Sequence, residues 1–144
     1  MSGRSFVDTN VLVYAHDRSA GDKRDRARAL LVDLWEQRSG VLSTQVLQEF
    51  YVTVRRKVTE PLPHREAARL VAEYTQWEVV VNSGTSILQA VELEERYRLS
   101  FWDALIANAA IESRSSRLLS EDFQHGQIFG NVVVVNPFLD EPIP

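Results

Sequence analysis

The sequence predicts an α/β domain, a three-layer α/β/α sandwich in which helices cover both faces of a central parallel sheet of four to five strands. Short apolar runs rich in valine and leucine, as buried parallel strands require, alternate along the chain with amphipathic helical stretches. Strands that alternate with helices are joined by right-handed crossovers, which place the helices on the two faces of the sheet. Because the 144 residues contain no internal repeat and no linker-like stretch, residues 1–144 are expected to form a single domain.

Each predicted strand is a short apolar run that is bounded by polar or turn-forming residues. The first begins at Phe6 and ends at Asp8, where Thr9 and Asn10 lead into a short helix that runs to about His16. The others are predicted at residues 41–43, 78–81, 117–120 and 131–135. The tail is predicted to lack regular structure because it contains Pro137, Pro142 and Pro144.

The longer helices are predicted from apolar residues that recur at helical spacing. One helix runs from a polar turn at residues 17–22 to Arg38, with Gly40 just past its end. Its inner face is formed by Ala27, Leu30, Leu31, Leu34 and Trp35. Further helices are predicted to begin at Ser43 or Thr44, near His64 and at Thr85. The stretch 101–115 is apolar nearly all round, which is typical of a helix in the middle of a domain.

The composition excludes several classes of protein. There is no cysteine, so a disulfide framework, thiolate chemistry and a cysteine-built zinc site are all excluded. No apolar run is long enough to span a membrane, and the first residues lack the apolar core of a signal peptide, so a cytoplasmic location is expected. The net charge of −4 argues against a protein that coats nucleic acid through a positive field, but it is compatible with a nuclease whose acidic site binds metal.

Acidic residues follow several of the predicted strands. Asp8 follows the first strand, Glu49 lies in the second turn of the helix after the second, and Asp122 comes shortly after the fourth. Asp103 lies at the start of the apolar helix. Because ligands in open α/β folds bind outside the carboxyl ends of the strands, we expect these carboxylates to converge at that edge of the sheet.

Each of these acids also has a purely structural interpretation. Asp8, or the residue after it, can cap the first helix, and Ser100 with Asp103 matches a capping box. Glu49 can be a boundary residue that reaches solvent, and Asp122 can be an ordinary loop acid. The joint pattern favours a common site, because the acids come from separated segments and most of them follow a strand.

A cluster of carboxylates predicts a bound cation. Carboxylates that lie together repel one another, which raises their pKa values and costs stability unless a cation joins them. A set of oxygen ligands without cysteine or a histidine pair suits Mg²⁺ or Mn²⁺ rather than zinc. One or two such ions can lower the pKa of a bound water, align it with a phosphorus atom and neutralise the transition state.

Motifs that contain these acids stand in a fixed order along the chain. They are Phe6-Val7-Asp8-Thr9-Asn10, Glu49, Phe101-Trp102-Asp103-Ala104-Leu105-Ile106-Ala107 and Leu118-Leu119-Ser120-Glu121-Asp122. In this order they resemble the acidic motifs of PIN-domain ribonucleases, and within that superfamily the sequence is most similar to the VapC-type toxins of bacterial toxin–antitoxin pairs. The resemblance extends from about residue 6 to residue 135, and it implies a PIN-like fold.

The resemblance implies an endoribonuclease that depends on Mg²⁺ or Mn²⁺ and leaves a 5′-phosphate and a 3′-hydroxyl. By position, the catalytic and metal-binding residues would be Asp8, Glu49, Asp103 and Asp122. Thr9 and Ser120 would be the hydroxyls that hold the acids and metal-bound water in place, with Asn10 as a further supporting residue. A homodimer and a cognate antitoxin, with a segment that lies in the active-site groove, are also implied.

This chain departs from the family pattern at two positions. Many relatives carry threonine where this chain has Ser120, a change that keeps the hydroxyl. Some members of the superfamily carry a further acid at the position of His125, so a fifth acidic ligand there is not expected in this chain.

Several basic residues are candidates to contact the RNA backbone. They are Arg24, Arg28, Arg55, Arg56 and His125, and Lys57 belongs to the same basic cluster as Arg55 and Arg56. For the arginines the alternative is a solvated helix face, and for His125 it is an ordinary loop position. His16, at the end of the first helix, is expected at the surface, where a histidine interacts favourably with the helix dipole.

Three other functions remain to be distinguished from a toxin nuclease. A haloacid-dehalogenase-like phosphatase also places an aspartate after its first strand, but it needs a second aspartate two residues later, where this chain has Asn10. The second is a PIN-domain nuclease that processes RNA outside a toxin–antitoxin pair, and the third is a catalytically quiet module that binds RNA or protein. A small upstream gene for a DNA-binding antitoxin would favour the toxin. The sequence does not identify the RNA.

Overall fold

Strands alternate with pairs of helices along most of residues 3–140, the part of the chain that this computed structural model describes. The strands are β1 (Ser5–Val7), β2 (Gly40–Ser43), β3 (Glu78–Val80), β4 (Arg117–Leu119), β5 (Ile128–Phe129) and β6 (Val132–Val135). The helices are α1 (Thr9–His16), α2 (Asp22–Gln37), α3 (Thr44–Arg56), α4 (His64–Tyr74), α5 (Gly84–Tyr97) and α6 (Phe101–Glu112). Pro142 and Pro144, in the tail that we predicted to be irregular, lie outside the described residues.

The strands form one sheet in the order β3-β2-β1-β4-β6-β5, which confirms the predicted α/β architecture. Strands β1, β2, β3, β4 and β6 pair in parallel, and β1 lies between β2 and β4, with Phe6 opposite both Val41 and Leu118. Phe6 and Leu118 are fully buried. The carboxyl ends of β1 and β4 therefore lie side by side in the interior of the sheet.

The short edge strand β5 was not predicted. It pairs antiparallel with β6, and only Gly130 and Asn131 connect the two strands. Gly130 adopts a φ of 59°, which glycine tolerates at no steric cost, and a Gly-Asn pair between apolar runs is a hairpin signal. Asn131, which we predicted to begin the last strand, belongs to this connection instead.

Side chains cap the first turn of several helices. Ser43, Ser83 and Ser100 each accept a backbone N–H in the first turn of the helix that follows. Helix α2 ends at a left-handed residue, Arg38, whereas Gly40 already belongs to β2. The ring of Trp77 lies against Gly40, so that a Cβ at this position would come within 2.1 Å of it. Glycine is therefore required at the start of β2 for close packing rather than for ending the helix.

Helix α6 is the central helix, as its sequence predicted. Its residues 104–110 are all buried, and it packs against α5 on one side and the sheet on the other. The helix ends at Glu112, three residues earlier than predicted, and Arg114 then turns the chain with a φ of 57°. Among residues 3–140, no helix combines the length and the apolar character that crossing a membrane requires.

Candidate active site

Asp8 lies buried at the point where β1 ends and α1 begins. Its backbone N–H donates to the carbonyl of Leu119 at 3.0 Å, which ties it to the end of β4. Its side chain accepts the N–H of Thr9 at 2.7 Å and the hydroxyl of Ser120 at 2.6 Å. Asp8 therefore caps α1, as its structural interpretation requires, and is also held by a residue from a neighbouring strand. Only 4% of its surface is exposed.

Ser120 connects two of the predicted acids. The fully buried hydroxyl donates to Oδ2 of Asp8 and accepts the backbone N–H of Asp122 at 3.0 Å. The Ser120 N–H donates to the carbonyl of Val135 at 3.1 Å, which fixes the residue to β6. One hydroxyl thus sets the position of Asp122 relative to Asp8.

Glu49 is brought to the same region by a hydroxyl and an amide. The Thr9 hydroxyl donates to Oε1 at 2.6 Å, and the Gln45 side-chain amide donates to Oε2 at 3.2 Å. The same Gln45 amide donates to the carbonyl of Trp102 at 3.2 Å, which links α3 to the first turn of α6. Asp103 lies in that turn, and its N–H donates to the hydroxyl of Ser100 at 3.1 Å.

The charges of these carboxylates act on one another. The pKa of Asp8 is raised to about 7, chiefly by burial and also by the charges of Asp122 and Glu49, against the hydrogen bonds from Ser120 and Thr9. The pKa of Asp103 is also raised, first by burial and then by Asp122 and Glu49, with the Ser100 hydrogen bond acting in the opposite direction. Acids from four segments therefore form one electrostatic site.

The oxygen atoms of this site fit a hydrated divalent cation. Within residues 3–140, no three Asp, Glu or His side chains are already arranged as a metal-coordinating group. Mg²⁺ keeps several of its waters and usually takes one or two carboxylates, so it does not require such a group. Both side-chain polar atoms of Asn10, which lines the same pocket as Asp122, are buried without a hydrogen-bond partner. Buried polar atoms normally have partners, which water around an ion would supply.

A groove with two lobes runs along α1 and α3 and contains acids from both sides of the site. One lobe, of about 390 Å³, contains Asn10, Tyr14 and Asp122, and the other, of about 400 Å³, contains Glu49. Thr9, Thr53 and Lys57 line both lobes. Lys57, the first residue after α3, therefore places a cation in the groove that Asp122 and Glu49 line.

Among the basic residues that we considered for contact with RNA, Lys57 lines both lobes, whereas the others line neither. Arg28 donates to the carbonyl of Ala15 at 3.3 Å, and Arg55 donates to the carbonyl of Leu62 at 3.2 Å. His125 accepts the backbone N–H of Asn136 through Nδ1 at 3.0 Å. The other two are Arg24, at the start of α2, and Arg56, which is exposed at the end of α3. Their roles in binding RNA remain predictions. The basic residue in the groove is the next one along the chain, Lys57.

The structure corrects the expectation that His16 lies at the surface. It is part-buried, with Nε2 at 2.6 Å from the hydroxyl of Tyr74 and its ring edge-on to Phe50 and Tyr74. Its pKa is lowered to about 4, chiefly by burial and also by the nearby charges of Arg28, Arg69 and Arg24. An eight-residue helix is too short for the period of its apolar residues to identify this inward position.

The family model described as PIN domain matches residues 5–128 of this chain. Among solved structures, the FitAB complex bound to an IR36 DNA fragment has a TM-score of 0.70 and 18% identity, with 96% of this chain and 98% of that chain covered. A toxin–antitoxin complex from Klebsiella pneumoniae has a TM-score of 0.69 and 20% identity, with 93% and 98% covered. At these identities the likenesses show a shared fold.

VapC20 of Mycobacterium tuberculosis, a toxin that cleaves the sarcin–ricin loop, is similar in the same way. Its TM-score is 0.61 at 20% identity, with 79% of this chain and 86% of that chain covered. A comparison with the curated proteins finds no match.

Proposed function

The chain belongs to the PIN domain family, and on that premise we propose that it is a metal-dependent endoribonuclease that acts as the toxin of a type II toxin–antitoxin pair. The observation that carries the proposal is Asp8, a buried carboxylate whose pKa is raised to about 7 within reach of the charges of Glu49 and Asp122. Such an arrangement costs stability, and a bound cation offsets the cost.

The proposed metal is Mg²⁺ or Mn²⁺, and Asp8, Asp103, Asp122 and Glu49 would hold it. A bound ion of this kind would supply Lewis-acid chemistry, lowering the pKa of a water and offsetting the charge that develops on the scissile phosphate. Thr9 keeps Glu49 in place through a 2.6 Å hydrogen bond. The carboxylate of Glu49 is then ready to accept a hydrogen bond from water in the groove.

The remaining groove residues would bind and orient the RNA. Lys57 reaches both lobes, so its ammonium group would neutralise a phosphate next to the one that is cut. Ser120 would keep Asp8 and Asp122 in a fixed relation during the reaction, since it bonds both residues.

The toxin assignment is supported by the solved structures of similar fold. The FitAB structure and the Klebsiella structure are described as complexes, the latter as a toxin–antitoxin complex. We extend this description to the present chain as part of the proposal, with a cognate antitoxin, an RNA substrate and a homodimer. A basic side chain of the antitoxin among the carboxylates would block the site, because charge-assisted hydrogen bonds are strong where water is excluded.

Cleavage of total RNA with mapping of the 5′ ends of the products tests the proposal. We expect discrete cuts in Mg²⁺ or Mn²⁺ that disappear in EDTA and with Asp8→Asn, with a loss of about a thousandfold in rate. Asp25→Asn, which removes an exposed acid of α2, is the matched control and should cut like the wild type. Addition of the antitoxin should suppress the cuts.

Two results would contradict the proposal. Cuts that persist in EDTA would show that the reaction does not need a metal. Cuts by Asp8→Asn at the wild-type rate would show that this site is not the catalytic one. Metal-dependent cuts that the product of the neighbouring gene does not suppress would favour an RNA-processing nuclease over a toxin.

A further inference from the structure

Resting on the proposed function, we propose that Tyr14, Lys23 and Glu121 form a clamp that positions Asp122 for metal binding. We call these residues the Glu121 clamp. Glu121 stands between Ser120, which bonds Asp8, and Asp122 itself. Its side chain is held by two helices from the other end of the sequence, so the clamp fixes the loop after β4 to the helices on one face of the sheet.

The clamp is a two-sided contact on one carboxylate. The hydroxyl of Tyr14, on α1, donates to Oε1 of Glu121. The ammonium group of Lys23, on α2, donates to Oε2 at 2.8 Å and lies 3.5 Å from the Tyr14 hydroxyl. Both carboxylate oxygens are thus engaged by different helices, which fixes the direction of the side chain as well as its position.

Two aromatic rings lie near the ammonium group of the clamp lysine, whose side chain is 44% exposed. The ammonium nitrogen of Lys23 lies 4.8 Å from the ring centre of Tyr14 and 5.5 Å from that of Phe138, within the range of cation–π attraction. The rings of Tyr14 and Phe138 pack edge to face at 5.2 Å. Both rings hold the lysine beside Glu121.

The burial of Glu121 separates this ion pair from the other ion pairs of residues 3–140. The Glu121 side chain is 21% exposed, whereas the acids paired with Arg4, Arg69 and Arg26 are 45% exposed or more. Exposed pairs contribute little because water screens them and side-chain entropy opposes them. The pair of Lys23 and Glu121 is the better shielded, and it lies next to a residue of the active site.

Asp122 needs such support because the chain around it has no regular structure. Residues 121–123 form a bend between β4 and β5, and Asp122 itself is exposed. The one hydrogen bond of its backbone N–H is the contact with Ser120. Glu121 anchors the residue between them to α1 and α2, and Tyr14 lines the same lobe of the groove as Asp122.

The clamp also controls charge. If Glu121 were released, a second carboxylate would be free one residue from Asp122, where it would either repel that residue or compete for the ion. Lys23 neutralises Glu121 and directs it toward the helices. The metal site is then left to the acids that Ser120 and Thr9 position.

The test measures Mn²⁺ binding by calorimetry in Tyr14→Phe, Lys23→Met and Glu121→Gln, with thermal unfolding of each variant. We expect the Kd for Mn²⁺ to rise about tenfold in Tyr14→Phe and in Lys23→Met, as for other residues that orient metal ligands. Lys23→Arg keeps the ion pair and should retain most of the wild-type affinity. The Kd of Glu121→Gln should lie between that of Lys23→Arg and that of Lys23→Met. Arg26→Met is the matched control, because it breaks an exposed ion pair from the same helix to Asp140 and should leave the Kd unchanged.

Each outcome decides a separate claim. If the wild type binds Mn²⁺ and cuts RNA but all clamp variants bind Mn²⁺ as tightly as the wild type, the clamp is structural and the inference fails alone. A lower melting temperature with an unchanged Kd has the same meaning. If the wild type does not bind Mn²⁺, the proposed function fails and the inference falls with it. Should Tyr14→Phe and Lys23→Met not fold, Glu121→Gln against Lys23→Arg decides the question, and equal Kd values would overturn the clamp.

Discussion

A titratable side chain stands at each end of α1. The two side chains have similar physical surroundings, but their pKa values shift in opposite directions. Asp8 at the amino end and His16 at the carboxyl end are about 12 Å apart along the helix axis. Asp8 is buried near other carboxylates and His16 is part-buried near arginines, so each lies near groups of its own charge. Burial and like charge favour the neutral form at both ends, which raises the pKa of Asp8 to about 7 and lowers that of His16 to about 4.

The difference lies in what completes each site. A neutral His16 is satisfied by the hydroxyl of Tyr74 and by edge-on rings, so nothing further is required. Asp8 receives hydrogen bonds that favour its charged form, beside other acids and the unpartnered amide of Asn10. A perturbed pKa alone therefore does not identify a functional site, and the neighbouring acids and the hydrogen bonds to the charged form distinguish Asp8 from His16.

The largest expected effect is on the stability of the metal-free protein, which should depend on pH in opposite ways at the two ends of α1. Between about pH 4 and 7, folded protein keeps a proton on Asp8 that unfolded chain has released, so rising pH removes roughly 4 kcal/mol of stability. Between about pH 4 and 6.5, unfolded chain keeps a proton on His16 that folded protein lacks, so rising pH adds roughly 3 kcal/mol. In the wild type these contributions oppose each other.

Urea unfolding in EDTA from pH 4 to 7.5 separates the two contributions. Relative to the wild type, the free energy of unfolding of Asp8→Asn should increase as the pH rises, and that of His16→Gln should decrease. Equal slopes for the two variants would contradict the assignment of opposite roles to the two ends of α1.

A smaller effect on the cleavage rate is expected when Asp8 is kept and only a hydrogen bond to it is removed. Ser120→Ala removes the hydroxyl that bonds Asp8 and Asp122, so we expect the cleavage rate to fall about tenfold. Ser120→Thr keeps a hydroxyl at this position and should retain most of the activity. Cleavage of RNA by Ser120→Ala at the wild-type rate would show that this hydrogen bond is dispensable.

The sequence predicted the amino end of α1 better than the carboxyl end, for a physical reason. Asp8, Glu49 and Asp122 could be placed because buried strands and their ends leave a local pattern of apolar and polar residues. His16 could not, because its partner Tyr74 is 58 residues away in the sequence. Such a contact depends on how α1 and α4 pack together, which no local pattern records.

The contacts of Glu121 were not predicted, for the same reason. Glu121 is adjacent to a predicted acid, but its partners Lys23 and Tyr14 are 98 and 107 residues away. Lys57 was a candidate for RNA contact as part of a cluster with Arg55 and Arg56, and the structure distinguishes it because it lines both lobes of the groove. The hairpin of β5 and β6, by contrast, had a local signal in Gly130 and Asn131 that we overlooked.

The most direct measurement of the central claim is the melting temperature during a titration with Mn²⁺ for the wild type, Asp8→Asn and His16→Gln. Binding to the folded state alone stabilises the protein by about 2.7 kcal/mol at a hundred times the Kd. The account predicts this stabilisation in the wild type and in His16→Gln and its loss in Asp8→Asn. An equal rise of the melting temperature in all three proteins, or no rise in the wild type, would contradict the claim that the acids around Asp8 form a metal site.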